Sequence, residues 1–318
     1  MPDTEVGFED ISKAAERIRP IARRTPVMAS ASFDREAGVS VFFKCENFQK
    51  GGAFKIRGAS NFILSIPKAD LKKGVVAHSS GNHAQAVAIA AQFVGAKATL
   101  VMPGDAPRSK LEGTRARGAE IIMYDRLTGN REEISGKFAA ETGATLVPPY
   151  DHPWTIAGQG TAAKELLEEV PDLDALVVCC GGGGLMSGSA IAAHHLDPKI
   201  RIFGVEPALA NDTYLSFQAG KRVKIDTPPT IADGLRATMP GALTFPIIQR
   251  HVEQMILVSE DEIRATLKFI LMRLKILVEP SGAVSAAAVL FQKLPHGVRR
   301  AGVILSGGNV DYEQLANL

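Results

Sequence analysis

Lys55 is the residue of this sequence best placed for covalent chemistry. It follows the chain-breaking pair Gly51-Gly52 and stands between Phe54 and Ile56. Burial between apolar side chains disfavours an ammonium ion and lowers the lysine pKa. Such an amine forms Schiff bases with carbonyl compounds. The competing reading is a lysine whose stem lies on apolar surface while its charge reaches water. Gly181, Gly182, Gly183 and Gly184 form a second feature, between an apolar run and a helical stretch. Such a turn can point its N–H groups at an anion, and the helix N-terminus adds favourable potential. A plain tight turn would use the same residues. The run is neither GxGxxG nor a P-loop ending in Lys-Ser/Thr, which argues against dinucleotides and nucleoside triphosphates. Ser79-Ser80-Gly81-Asn82-His83 lies where a strand should meet a helix. Free N–H groups there suit a carboxylate, although Ser-Ser-Gly-Asn is also a common cap.

The elements that must position these residues follow from periodicity. Phe8, Ile11, Ala14, Ala15 and Ile18 have helical spacing, and Pro20 ends that helix. Val41-Phe42-Phe43 reads as a strand, and Ala53 to Leu64 as the helix that carries Lys55. Strands at 74–78, 98–102, 120–124 and 145–147 alternate with helices at 82–94, 107–117 and 130–141. Asn130 with Glu133 fits a cap. Further on, a helix at 155–169 precedes the near-continuous apolar strand 174–179, a pattern of burial on both faces. A helix at 184–196, strands at 201–205 and 255–258, a helix from Ser259 to Lys275, an Ala-rich helix at 282–292 and a strand at 303–305 complete the chain. This alternation predicts an α/β protein with parallel sheets covered by helices.

With 318 residues, two domains are expected, and 46% hydrophobic residues suffice for two cores. The net charge of +2, with no long run of Lys or Arg, argues against nucleic acid. Cys45, Cys179 and Cys180 offer neither a metal spacing nor an ordinary bridge, which points to a reducing compartment. The acidic start Met1-Pro2-Asp3-Thr4-Glu5 is no signal peptide, and the apolar runs are too short to span a bilayer. A cytoplasmic protein without membrane partners is therefore expected.

Ala53-Phe54-Lys55-Ile56-Arg57-Gly58-Ala59 resembles the lysine motif of fold-type II pyridoxal-phosphate enzymes, with Ala53 where many members have Ser or Thr. Ser79 to Gln85, the glycine run and Ser306-Gly307-Gly308-Asn309-Val310-Asp311 continue the resemblance in the family's order, over nearly the whole chain. The subgroup resembled is that of serine/threonine dehydratases and serine racemases. Tyr150-Asp151-His152-Pro153 is also similar to threo-3-hydroxyaspartate dehydratases.

The resemblance implies a tryptophan synthase β-like fold of two open parallel-type sheets with helices on both faces. Residues 1–69 and 151–318 would form a large cofactor-binding domain and residues 70–150 a small one. It implies pyridoxal 5'-phosphate on Lys55 as an imine, beside Phe54, with Asn82 near the 3′ oxygen and the four glycines on the phosphate. Ser306 would face the pyridine nitrogen. A hydroxyl cannot keep that nitrogen protonated as a carboxylate would, which favours loss of a β-substituent. Ser79, Asn82 and His83 would hold the substrate carboxylate, with Ser80 on the ring face opposite Lys55. Arg131 would bind a second carboxylate at the cleft mouth, or be a solvated helix-start arginine. Glu206, Ala210 and Asp212 match a divalent-cation site, whose oxygen donors suit Mg²⁺, Ca²⁺ or Mn²⁺; solvated loop acids are the alternative. Ala237 replaces a substrate-contacting serine of serine racemase, which points away from racemisation as the main activity. The activity implied is β-elimination from L-threonine or L-serine, with hydroxyaspartate dehydration or serine racemisation as alternatives. A homodimer and a nucleotide effector are also implied.

Overall fold

The computed structural model describes residues 5–79, 81–104, 108–125 and 128–316. Its strands are β1 (Val27–Ala29), β2 (Ser40–Cys45), β3 (Val75–His78), β4 (Ala98–Pro103) and β5 (Glu120–Tyr124), followed by β6 (Thr145–Leu146), β7 (Ala175–Cys179), β8 (Arg201–Pro207), β9 (Gln254–Val258) and β10 (Arg300–Leu305). One sheet has the order β1-β2-β10-β7-β8-β9, and the other β5-β4-β3-β6. All pairings are parallel except that of β1 with β2, an antiparallel edge. Every residue of β7 is buried, so both faces of the first sheet are covered.

The parallel arrangement brings the chemistry-bearing segments to one kind of place. Cys45 ends β2, the glycine loop follows β7, Ser306 follows β10 and Ser79 follows β3. Ligands of open α/β sheets bind beyond these carboxyl ends.

Three helices then fix the site. The helix Pro153–Glu169 lies between the lysine helix, Lys55–Ser65, and the helix that follows the glycine run, Gly184–Leu196. Glycines allow the close approach on both sides. A Cβ on Gly158 would lie 2.5 Å from Arg57 O, and one on Gly160 would lie 2.6 Å from Gly188 O. The lysine helix also supplies Ile56, Ala59, Phe62 and Ile63 to the core under the second sheet.

Several boundaries differ from the periodic reading. The helix after Ser259 is α-helical only over Glu260–Phe269; a π turn, Ile270–Leu274, follows, and Lys275 at φ 61° ends it. Pro107, expected to start a helix, lies outside the described residues, and that helix spans Arg108–Arg115. Asn130 caps the next one, accepting from the N–H groups of Glu132 and Glu133. The short helices Ala31–Ala37, Asp212–Ala219 and Thr244–His251 have too few turns to show a period.

Candidate active site

Lys55 opens its helix and turns its amine inward. Nζ donates to Pro149 O at 2.9 Å and lies 5.1 Å from the centre of the Phe54 ring. Burial lowers its pKa from 10.5 to about 8, and the nearby Cys179 and Glu279 restore part of the loss. The amine is therefore far closer to neutrality than a surface lysine.

Two other motifs meet Lys55. Phe54 N–H donates to Ser306 O at 3.0 Å, and Ala53 bridges Gly307. Ser306 is buried, and its hydroxyl interacts with Cys179, the last residue of β7. The chain then runs through Cys180 into the glycine loop. Gly183 has φ 94°, a left-handed conformation that glycine adopts without strain. A Cβ on Gly182 or Gly184 would collide with Tyr150. The first N–H groups of the helix Gly184–Leu196 have no partner within the helix, a geometry able to face an anion.

The fourth motif forms the N-terminus of the helix Asn82–Val94. Asn82 Nδ2 donates to Glu279 at 2.6 Å, and Asn309 Nδ2 donates both to Asn82 Oδ1 at 2.8 Å and to Gly51 O at 2.7 Å. This network ties the motif after β3 to the loop before Lys55. Ser79 Oγ accepts from Gly81 N–H at 3.2 Å. His83 is buried, and its Nε2 lies 2.9 Å from Val147 O. Burial first, and then the charge of Lys55, depress its pKa to about 3. The neutral ring donates to Val147 O, and Nδ1, an acceptor, has no hydrogen-bond partner among the described residues. Ser80 lies outside the described residues. Arg131 is exposed and pairs with Glu132 at 3.0 Å. Its charge still reaches Tyr150, whose pKa is raised by burial, Asp151 and Asp212 and lowered by Arg131.

Glu206 and Asp212 are fully buried. Glu206 accepts from the N–H groups of Thr213 at 3.2 Å and Tyr214 at 2.7 Å. Neither oxygen of Asp212 has a hydrogen-bond partner among the described residues. Burial drives the pKa of Glu206 well up, helped by Asp212, and burial takes that of Asp212 to about 7. A divalent cation would relieve two such carboxylates, so they fit one. No group of three or more His, Cys, Asp or Glu side chains suited to a metal exists among the described residues. The buried loop residue Ala210 could add only its carbonyl, with water completing the shell.

Sequence reasoning gave no role to Arg57 or Glu279. Arg57 is fully buried and bonds Glu46 at 2.7 and 2.8 Å and Glu165 at 2.8 Å. Lys44, also fully buried, bonds Glu165 at 2.8 Å. This neutral quartet anchors the first turn of the lysine helix to the end of β2 and to the helix Pro153–Glu169. Glu279, almost wholly buried, holds Asn82 and acts electrostatically on Lys55. Glu279-Pro280 at a helix start was its only local signal.

Comparison with known proteins shows the family and the fold. The sequence model of the family described as pyridoxal-phosphate dependent enzyme matches residues 18–307. The chain is 49% identical over 310 residues to a serine racemase of Schizosaccharomyces pombe (strain 972 / ATCC 24843), covering 98% of this chain and 96% of that protein. It is 49% identical over 311 residues to an L-threo-3-hydroxyaspartate ammonia-lyase of Pseudomonas sp, covering 98% of each. The crystal structure of a T.th. threonine deaminase superposes with a TM-score of 0.90 at 41% identity, covering 96% of this chain and 99% of that one.

Proposed function

The chain belongs to the pyridoxal-phosphate-dependent enzymes, within their ammonia-lyase and racemase group, and from that premise we propose that it converts L-threonine or L-serine to a 2-oxo acid and ammonia. The observation that carries this reading is a half-buried lysine, its pKa lowered by desolvation, next in the chain to Phe54, whose N–H bonds the buried serine at the end of β10. The site residues fit the cofactor: an amine for its aldehyde, a glycine turn at a helix start for its phosphate, and a hydroxyl for its ring nitrogen. When bound, pyridoxal phosphate supplies an electron sink for negative charge at Cα.

The chain's own groups do the rest. The N–H groups opening the helix Asn82–Val94 hold the substrate carboxylate. Lys55 Nζ, its pKa brought down to about 8 by burial, takes the Cα proton. The β C–O bond then breaks as the leaving hydroxyl takes a proton, which the protonated Lys55 amine can return, so that water departs; the enamine released rearranges to an imine, and its hydrolysis gives ammonia and the 2-oxo acid. Ser306 offers a hydroxyl where a carboxylate would favour a longer-lived charge on the ring.

A second reading, L-threo-3-hydroxyaspartate as substrate, is supported by the 49% identity to an L-threo-3-hydroxyaspartate ammonia-lyase. A panel of L-serine, L-threonine and L-threo-3-hydroxyaspartate, scored for 2-oxo acid and by chiral analysis of the remaining amino acid, separates these. Serine or threonine should give the highest kcat/KM, with 2-oxo acid outpacing any D-serine. Preference for hydroxyaspartate selects the second reading. D-serine formed faster than 2-oxo acid would contradict both.

Glu206, Asp212 and the Ala210 carbonyl would hold a divalent cation whose role is to support the fold. A cation bound only by the folded chain adds about 2.7 kcal/mol at a hundredfold excess over Kd. EDTA should therefore lower the melting temperature, and Asp212→Ala should abolish that sensitivity. A melting curve indifferent to EDTA and to added Mg²⁺ would remove the site.

A further inference from the structure

The segment Pro149-Tyr150-Asp151 enters the helix Pro153–Glu169 and passes beside the glycine loop. Asp151 Oδ2 accepts from Ala242 N–H at 2.8 Å, and Oδ1 accepts from Leu243 N–H at 2.9 Å and Thr244 N–H at 3.2 Å. These amides open the helix Thr244–His251, so a carboxylate 93 positions away from Thr244 caps it. The seat is closely fitted, because a Cβ on Gly241 would collide with Asp151.

The turn held in this way grips the glycine loop. Thr244 Oγ1 donates to Gly182 O at 2.8 Å, and Gly241 N–H donates to the same oxygen at 3.3 Å. No peptide bond among the described residues is cis. In a trans peptide the C=O and the following N–H point in opposite directions. Drawing Gly182 C=O toward Thr244 therefore turns Gly183 N–H away from Thr244. Tyr150, the neighbour of Asp151, lies against Gly182 and Gly184.

We propose that Asp151 is a positioning residue for the phosphate grip: by fixing residues 242–244 it fixes how Thr244 holds Gly182, and hence where Gly183 N–H points. This rests on the reading that the glycine loop takes the phosphate of pyridoxal phosphate. Asp151 acts through Thr244 and Gly182.

The test compares the dissociation constants of pyridoxal phosphate and of pyridoxal, which lacks the phosphate. It uses the full-length enzyme, Asp151→Asn, Thr244→Val, Thr244→Ser and the double variant Asp151→Asn/Thr244→Val. An asparagine must turn its NH₂ toward at least one of the three N–H donors. Asp151→Asn and Thr244→Val should each weaken pyridoxal phosphate binding about tenfold, the scale of one lost charge-assisted hydrogen bond. Pyridoxal binding should not change, and Thr244→Ser should match the parent. The double variant should be no weaker than the weaker single one, since both changes break one chain of contacts. Unchanged phosphate-dependent binding, equal weakening of both ligands, or additive losses would each overturn the proposal. If Asp151→Asn does not fold, equal affinity of Thr244→Val and Thr244→Ser for pyridoxal phosphate overturns it. A parent enzyme that binds both ligands equally tightly would instead remove the phosphate reading of the glycine loop, and the proposal with it.

Discussion

Replacing Lys55 with alanine should lower turnover of L-serine or L-threonine by about 10⁴-fold or more, because it removes both the covalent anchor and the base. The fold should survive, since the change deletes a buried amine whose charge burial already disfavours. The pH profile of the parent enzyme carries the same signature. Lys55 works as a base only when neutral, and burial brings its pKa down to about 8. The rate of the Cα proton step should therefore rise as pH increases through about 8 and level above it. Turnover retained within tenfold in Lys55→Ala, or a proton step indifferent to pH across that range, would place the base elsewhere.

Arg57→Met should cost about 3–5 kcal/mol of stability, the usual result of removing one partner from a buried ionic network. Glu46 and Glu165 would then face a single cation, Lys44, with no exposure of Glu46 or Lys44 to relieve them. In the intact chain burial opposes the Arg57 charge, yet Glu46 and Glu165 outweigh it and hold its pKa above the ordinary value. Removing a second charge, in Arg57→Met/Glu46→Gln, should recover part of the loss because it restores neutrality. Urea unfolding of both variants checks this. A loss under about 1 kcal/mol in Arg57→Met would put the quartet on the scale of surface pairs. Arg57 is two residues from Lys55 on the same helical turn, so the quartet also sets where the reactive amine stands.

The site was legible wherever its signal was local. Lys55, the glycine run and Ser306 each follow a strand or a chain break within a few residues, and periodicity alone located those strands. The contacts that join these motifs were not legible. Asn82 meets Glu279 197 positions away, and Arg57 meets Glu165 108 positions away. Burial turned polar residues that look solvated in the sequence, such as Lys44 and Glu46, into fully covered members of one network. His83 shows the limit within a motif: its position was readable, but its ring is committed to Val147 O by a carbonyl that no spacing reveals. The short helix Thr244–His251, which holds the glycine loop through Thr244, was too brief to carry a period.

Reduction of the purified holoenzyme with borohydride, followed by proteolysis and mass mapping, tests the central claim most directly. Reduction makes permanent the bond between the cofactor and the amine that carries it. The pyridoxyl mass should be found on the peptide containing Lys55 and be absent from the Lys55→Ala protein. Modification of Lys50, Lys44 or any other lysine in place of Lys55 would contradict the account.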